Sequence, residues 1–148
     1  MNIYKTKFIT KSEQQTINLG KNLAKQFHGG EVAGLIGELG AGKTILIKGL
    51  ALGLGIKKTI TSPTFVLMKI YPVNKKEFNI KYFIHVDAYR LKSGQDLVDI
   101  GLNDWMNQPN TLTVIEWADR VKNILPKQKI TVKISLGKKE NERIIKID

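Results

Sequence analysis

The residues with most chemistry in them are Gly37-Glu38-Leu39-Gly40-Ala41-Gly42-Lys43-Thr44. Their spacing is G-x-x-x-x-G-K-[ST], a phosphate-cradling P-loop. Glycines let a tight turn aim its backbone N–H groups at one point, the lysine reaches the β- and γ-phosphates, and the final hydroxyl can ligate Mg²⁺. The motif carries meaning only between a strand and a helix. Here the apolar run Val32-Ala33-Gly34-Leu35-Ile36 precedes it, and a helix-compatible run from Thr44 to Leu52 follows. The implied ligand is a nucleoside triphosphate. The loop alone does not say what hydrolysis would serve.

Two carboxylates stand where such a site needs them. Asp87 closes the run Phe83-Ile84-His85-Val86, and Glu116 closes Leu112-Thr113-Val114-Ile115. In an open α/β sheet, ligands gather at the C-terminal ends of the strands. A strand-end carboxylate there serves Mg²⁺ directly or through water, and a second can polarise the attacking water. Spacing does not decide which takes which role. Ser62-Pro63-Thr64 offers hydroxyls of the kind that sense a γ-phosphate, and it fits a plain proline turn before a strand equally well. His85 shares a strand face with Asp87 if the run alternates. Two histidines without cysteine or an HExxH spacing point away from zinc. Trp117, directly after Glu116, packs on the nucleotide or on the core, and the core is the simpler reading for a lone aromatic. Trp105 reads as core packing.

The elements that must position these groups follow from periodicity. Residues 3–9 suit a short strand. Thr10-Lys11-Ser12-Glu13 has the form of a capping box with Thr10 as N-cap. It opens a helix from about 11 to 27, stopped by Gly29-Gly30. The strand over 31–36 is continuously apolar, as a central parallel strand should be. The P-loop helix ends near Gly53-Leu54-Gly55. Val66–Tyr71 and Tyr82–Asp87 are two β-runs joined by a polar loop over 72–79 and no helix, hence an antiparallel pair. A helix around 95–100, interrupted at Gly101, continues as a turn through Trp105, and a loop spans Asn107–Asn110. Leu112–Ile115 is a buried strand, and Ala118–Leu125 a short helix. In the tail, alternating Ile130, Val132, Ile134 and Leu136, a polar turn and Arg143–Ile147 make a terminal β-hairpin with one buried face. The expected architecture is one α/β domain over 1–148: a mixed, mostly parallel P-loop-type sheet flanked by helices, with antiparallel strands and a C-terminal hairpin.

Composition narrows the classes. With 42% hydrophobic and 25% charged residues in 148, the chain resembles an ordinary globular protein able to bury a core. No apolar run is long enough to span a membrane. The first residues lack a signal peptide's apolar segment, and the absence of cysteine suits a reducing cytoplasm. The net charge of +11 comes from lysines scattered along the chain. It fits a solvated surface or an acidic or nucleic-acid partner.

Gly37–Thr44, Ser62-Pro63-Thr64-Phe65, His85-Val86-Asp87-Ala88-Tyr89-Arg90-Leu91 and Ile115-Glu116-Trp117, in this order, resemble the TsaE (YjeE) family. These are small bacterial P-loop ATPases required for threonylcarbamoyladenosine in tRNA. The resemblance implies ATP and Mg²⁺ as ligands, with Lys43 and the amides of Gly37 through Thr44 on the phosphates. Thr44 and Glu116 would hold the metal, with Asp87 in the same shell and influencing hydrolysis. Thr64 would be a switch-like threonine, and Trp117 would lie near the nucleotide. Glu13 and Arg143 would approach the base and ribose. The implied partners are TsaD-like and TsaB-like proteins, with tRNA reached indirectly through that assembly at adenosine 37, and neither membrane nor DNA. Hydrolysis would be slow in isolation and drive a conformational reset of the partner transferase.

Two other functions remain open on the residues. A small-molecule kinase uses the same loop and carboxylates, although arginine is scarce (Arg90, Arg120 and Arg143) and no lid segment stands out. A basic RNA-binding module with a structural nucleotide would bind RNA independently of ATP and lose it with salt.

Overall fold

The computed structural model describes residues 6–106 and 108–148. Residues 3–5 of the first expected strand, and Asn107 of the loop before Pro109, lie outside that range. The described chain runs β1 (Thr6–Thr10), α1 (Glu13–Ala24), β2 (Val32–Ile36), α2 (Lys43–Gly53), β3 (Met68–Pro72), β4 (Tyr82–Asp87), α3 (Gln95–Asp99), α4 (Leu102–Met106) and β5 (Thr111–Glu116). A 3₁₀ segment (Ala118–Ile124), β6 (Ile130–Leu136) and β7 (Arg143–Ile147) complete it.

All seven strands form one sheet in the order β1-β7-β6-β2-β5-β4-β3. The central four, β6, β2, β5 and β4, run parallel. The others are added antiparallel at the two edges, β3 on β4 and the β7-β1 pair on β6. Both expected hairpin pairs are thus present. β2 and β5 are apolar throughout because both faces are covered. One core lies beneath α1 and α2, with Leu35, Leu46, Ile47, Phe83 and Val114 among its members. The other lies beneath α3, α4 and the 3₁₀ segment, around Val32, Ile84, Val86 and Ile115. Every second residue of β4 and β5 therefore serves one core and the intervening ones the other.

Helix α2 carries the P-loop lysine and must sit close to the sheet. Glycines bring its partner α1 close: a Cβ on Gly49 would come 2.2 Å from the Ile17 carbonyl oxygen, and one on Gly20 would come 2.5 Å from that of Leu46. Contact between backbones at these points locks the two helices in one packing.

Four local expectations are corrected. The N-cap of α1 is Ser12, whose Oγ accepts from Gln15 N at 3.1 Å, while Gln15 Oε1 reaches back to Lys11 N at 2.7 Å. Thr10 is held in β1 opposite Arg143, so its hydroxyl turns to Thr16 instead. Leu67 has φ of 67°, a left-handed conformation that delays β3 to Met68. The 3₁₀ segment breaks its helical geometry at Val121. Finally, Leu136 is 58% exposed. The β2–β6 pairing ends at Lys133, where β2 passes into the P-loop, so Leu136 overshoots the covered part of the sheet. Ile130, Val132 and Ile134 are buried as expected.

Candidate functional site

The parallel register brings the polar strand ends together. Asp87 and Glu116 are direct neighbours across β4 and β5, and Glu116 pairs with Leu35 of β2 on its other side. β2 runs straight into the loop. Gly42 has φ of 105°, a conformation open to glycine without strain, and it releases the chain into α2.

Lys43 opens α2 and is buried. Its Nζ donates to the carbonyl oxygens of Gly37 (2.5 Å) and Glu38 (2.9 Å), and stands 4.1 Å from the Trp117 ring centroid. Burial pushes this ammonium below the ordinary lysine value of 10.5, a shift opposed by Glu116, Asp87 and Asp119. A desolvated cation resting on two neutral carbonyls is well placed to gain from an incoming anion. The next residue, Thr44, donates its hydroxyl to Glu116 Oε1 at 2.9 Å.

Both carboxylates are buried, and each is held from several sides. Glu116 Oε2 lies 2.7 Å from His85 Nε2. Asp87 Oδ2 accepts from the hydroxyls of Ser62 and of Thr64, the latter at 2.9 Å, while Oδ1 accepts from Tyr89 N at 2.9 Å. Trp117 follows Glu116 with φ of 59°. That unusual backbone starts the 3₁₀ segment and lays the indole against Lys43. Tyr89 packs on it at 4.9 Å, and Arg120 stands over both rings, its Nη1 donating to Tyr89 O at 2.6 Å.

These groups surround a cavity of about 540 Å³, whose walls include Leu39, Gly40, Gly42, Lys43, Thr44, Thr64, Asp87, Glu116 and Trp117. Its size suits a small organic ligand. Gly37, Glu38 and Ala41 turn away from it. The first two offer carbonyls to Lys43, and Ala41 accepts from Arg143 Nε at 3.0 Å. Glu13 and Arg143 line a second cavity of about 200 Å³, continuous with the first through Gly40, Gly42 and Ile45. The predicted site residues thus fall around two adjoining hollows on either side of the loop. The donor set suits a hard divalent cation: one hydroxyl and two carboxylates facing a phosphate-binding turn. Among the described residues, no cluster of three histidine, aspartate or glutamate side chains forms a metal cage of its own. A cation here would need further ligands from a bound phosphate or water.

Sequence reasoning had not assigned roles to Ser62, His85, Tyr89, Arg90, Phe65 or Arg120. The first two touch the carboxylates, and the others form the rim. Phe65 is 82% exposed, with the Arg90 guanidinium 4.4 Å from its ring. Proximity to the strand-end Asp87 could have flagged Tyr89 and Arg90. Arg120 is placed only by the turn after Trp117.

Comparison with known proteins agrees with this arrangement. Residues 10–145 match the model of the family described as "Threonylcarbamoyl adenosine biosynthesis protein TsaE". The chain is 38% identical over 136 residues to the tRNA threonylcarbamoyladenosine biosynthesis protein TsaE of Treponema pallidum, covering 92% of this chain and 96% of that one. The protein of the same name from Bacillus subtilis is 32% identical over 128 residues, covering 86% and 76%. The crystal structure of Bacillus subtilis YdiB superposes with a TM-score of 0.79 at 27% identity, over 99% of this chain and 86% of that one. With a loop that cradles phosphate, paired strand-end carboxylates and a family match over nearly its whole length, the chain belongs to the TsaE family.

Proposed function

We propose that this protein acts in making threonylcarbamoyladenosine on tRNA, as a single-domain cytoplasmic ATPase that binds Mg–ATP. Its hydrolysis cycle resets a transferase built from TsaD-like and TsaB-like proteins. The observation that carries the proposal is the chain of contacts from Lys43–Thr44 through Glu116 to its cross-strand neighbour Asp87 and on to Thr64. It joins phosphate-binding, metal-binding and switch-type groups in one cavity. Among the described residues no helix is long and apolar enough to cross a membrane.

In this reading Lys43 leaves its two carbonyls for the β- and γ-phosphates, and the loop amides from Gly37 to Thr44 hold their oxygens. Thr44 and Glu116 would hold Mg²⁺, with Asp87 beside them. When bound, the metal supplies a Lewis acid that neutralises charge on the phosphates. Asp87 orients the attacking water, and Thr64, tied to Asp87 through its hydroxyl, reports the γ-phosphate to the loop that holds it. Trp117 covers the nucleotide, while Glu13 and Arg143 flank its base and ribose. Partner docking completes the site and accelerates an otherwise slow turnover.

Trp117 provides the test. Because Lys43 Nζ sits on its ring, drawing that cation onto phosphate should change the indole's fluorescence. Titration with Mg–ATP is expected to give a saturable change that Lys43→Ala abolishes. A saturable response of equal affinity in Lys43→Ala would exclude this role for the loop.

A further inference from the structure

The three strands at the β1 edge carry a feature that the nucleotide site does not use. Register places Lys7 of β1 opposite Lys146 of β7, and Lys146 opposite Lys133 of β6. Residues paired this way project to the same face of the sheet. The three lysines therefore form one row across three adjacent strands, spanning about 10 Å at the usual interstrand spacing. All three are exposed. Beside them runs a second row, Ile9–Ile144–Ser135, in which Ile9 is 53% exposed. α1 and α2 cover only the opposite face, through Phe8, Ile145, Ile147, Val132 and Ile134.

Like charges directly opposite on a sheet are destabilising. Nothing in these strands relieves them. β1, β6 and β7 contain no acidic residue, and among the described residues no carboxylate forms an ion pair with any of the three lysines. Glu142 and Asp148 stand just outside the two ends of β7. The row is a local concentration of positive charge on a flat, uncovered surface.

We propose that this face binds a folded RNA through its phosphate backbone. Charge density favours RNA over an acidic protein. A double helix carries about one negative charge per 1.7 Å of its axis. An extended acidic peptide presents a side chain to one face only about every 7 Å. Three lysines within about 10 Å match the denser polyanion. Lysine is a mobile point charge without arginine's fixed fork, and the face has no aromatic side chain on which bases could stack. Contact is thus to phosphates and independent of sequence. Lys133 and Ser135 also share a hollow with Gly37 and Glu38, so the face borders the back of the P-loop. The proposal does not depend on ATP hydrolysis.

The test is binding of a labelled RNA hairpin by fluorescence anisotropy over a series of salt concentrations. It compares the wild type with a Lys7→Gln/Lys133→Gln/Lys146→Gln variant. A control, Lys57→Gln/Lys58→Gln/Lys76→Gln, removes the same charge from exposed positions elsewhere. In the row variant, the slope of log affinity against log salt should become shallower by about 2.7, or about 0.9 per phosphate released. The control should keep the wild-type slope. Melting should show the row variant at least as stable as wild type, since the substitution removes repulsion, and Mg–ATP binding should be unchanged in both variants. Equal weakening in both variants would overturn the proposal in favour of diffuse charge. So would absence of RNA binding at low salt, or lysine-dependent binding of a poly-glutamate peptide without RNA binding. Loss of ATP binding in the wild type would count against the proposed ATPase function and not against this face.

Discussion

His85 Nε2 and Glu116 Oε2 lie 2.7 Å apart with both side chains buried, and the other Glu116 oxygen is held by Thr44. The carboxylate is fixed from β4 on one side and from α2 on the other. Nδ1 of the same imidazole has no hydrogen-bond partner. The ring's only polar contact is therefore the one that orients Glu116.

This makes the Nε2 position testable. A glutamine at 85 can place an amide near Nε2, whereas leucine cannot. His85→Gln is expected to keep most ATP turnover. His85→Leu should lose turnover at saturating ATP by at least tenfold, and should lower stability by about 1–3 kcal/mol through the unpaired buried carboxylate. Steady-state kinetics and thermal melts of the two variants check this.

Lys43 is a cation whose burial costs free energy. Its folded-state pKa lies below the unfolded value of 10.5. Between those two values the unfolded chain holds more protons, so this group makes stability rise with pH across that window. Below the window the full penalty of a buried ammonium is present. Lys43→Met should remove that rising contribution and keep the melting temperature within about 3 °C of wild type at neutral pH, under roughly 1 kcal/mol. It should also abolish Mg–ATP binding. Melts across the alkaline range and a nucleotide titration read the two effects separately.

The switch-type contact between Thr64 and Asp87 predicts a graded series. Thr64→Ser preserves the hydroxyl that donates to Oδ2 and should hydrolyse ATP within about threefold of wild type. Thr64→Val should fall by about 10–100-fold, within the range of a lost positioning contact, with little change in ATP affinity. Equal rates in the serine and valine variants would remove Thr64 from the mechanism.

Away from the site, the contact between α1 and α2 sets a stability test. Gly49→Ala drives a methyl group into the Ile17 carbonyl, against backbone that cannot step aside cheaply. The expected cost is about 2–3 kcal/mol, a drop of roughly 5–10 °C in melting temperature. A melting temperature equal to wild type would mean that the helices can separate.

Which of these features could be read from the chain depends on how local their cause is. The P-loop helix and β2 were legible because their apolar runs and glycines act within a few residues. Asp87 and Glu116 were legible because a charge ending an apolar strand has few places to go. Their cross-strand adjacency was not, since it depends on β4 and β5 pairing in one register. Thr10 and Ser12 offered equivalent capping chemistry, and only the pairing of Thr10 with Arg143 decided between them. Leu136 kept the alternation of its strand and is exposed because β2 ends earlier than β6. Lys7, Lys133 and Lys146 looked scattered along the chain, and the sheet order put them in a row.

The central claim is that Glu116 serves an ATP cycle driven through partner proteins. The direct measurement is phosphate release from Mg–ATP by the wild type and by Glu116→Gln, each with and without TsaD-like and TsaB-like proteins. The account predicts slow release by the isolated wild type, clear stimulation by the partners, and loss of the stimulated rate in Glu116→Gln with ATP binding largely retained. Stimulated release by Glu116→Gln at the wild-type rate would contradict it.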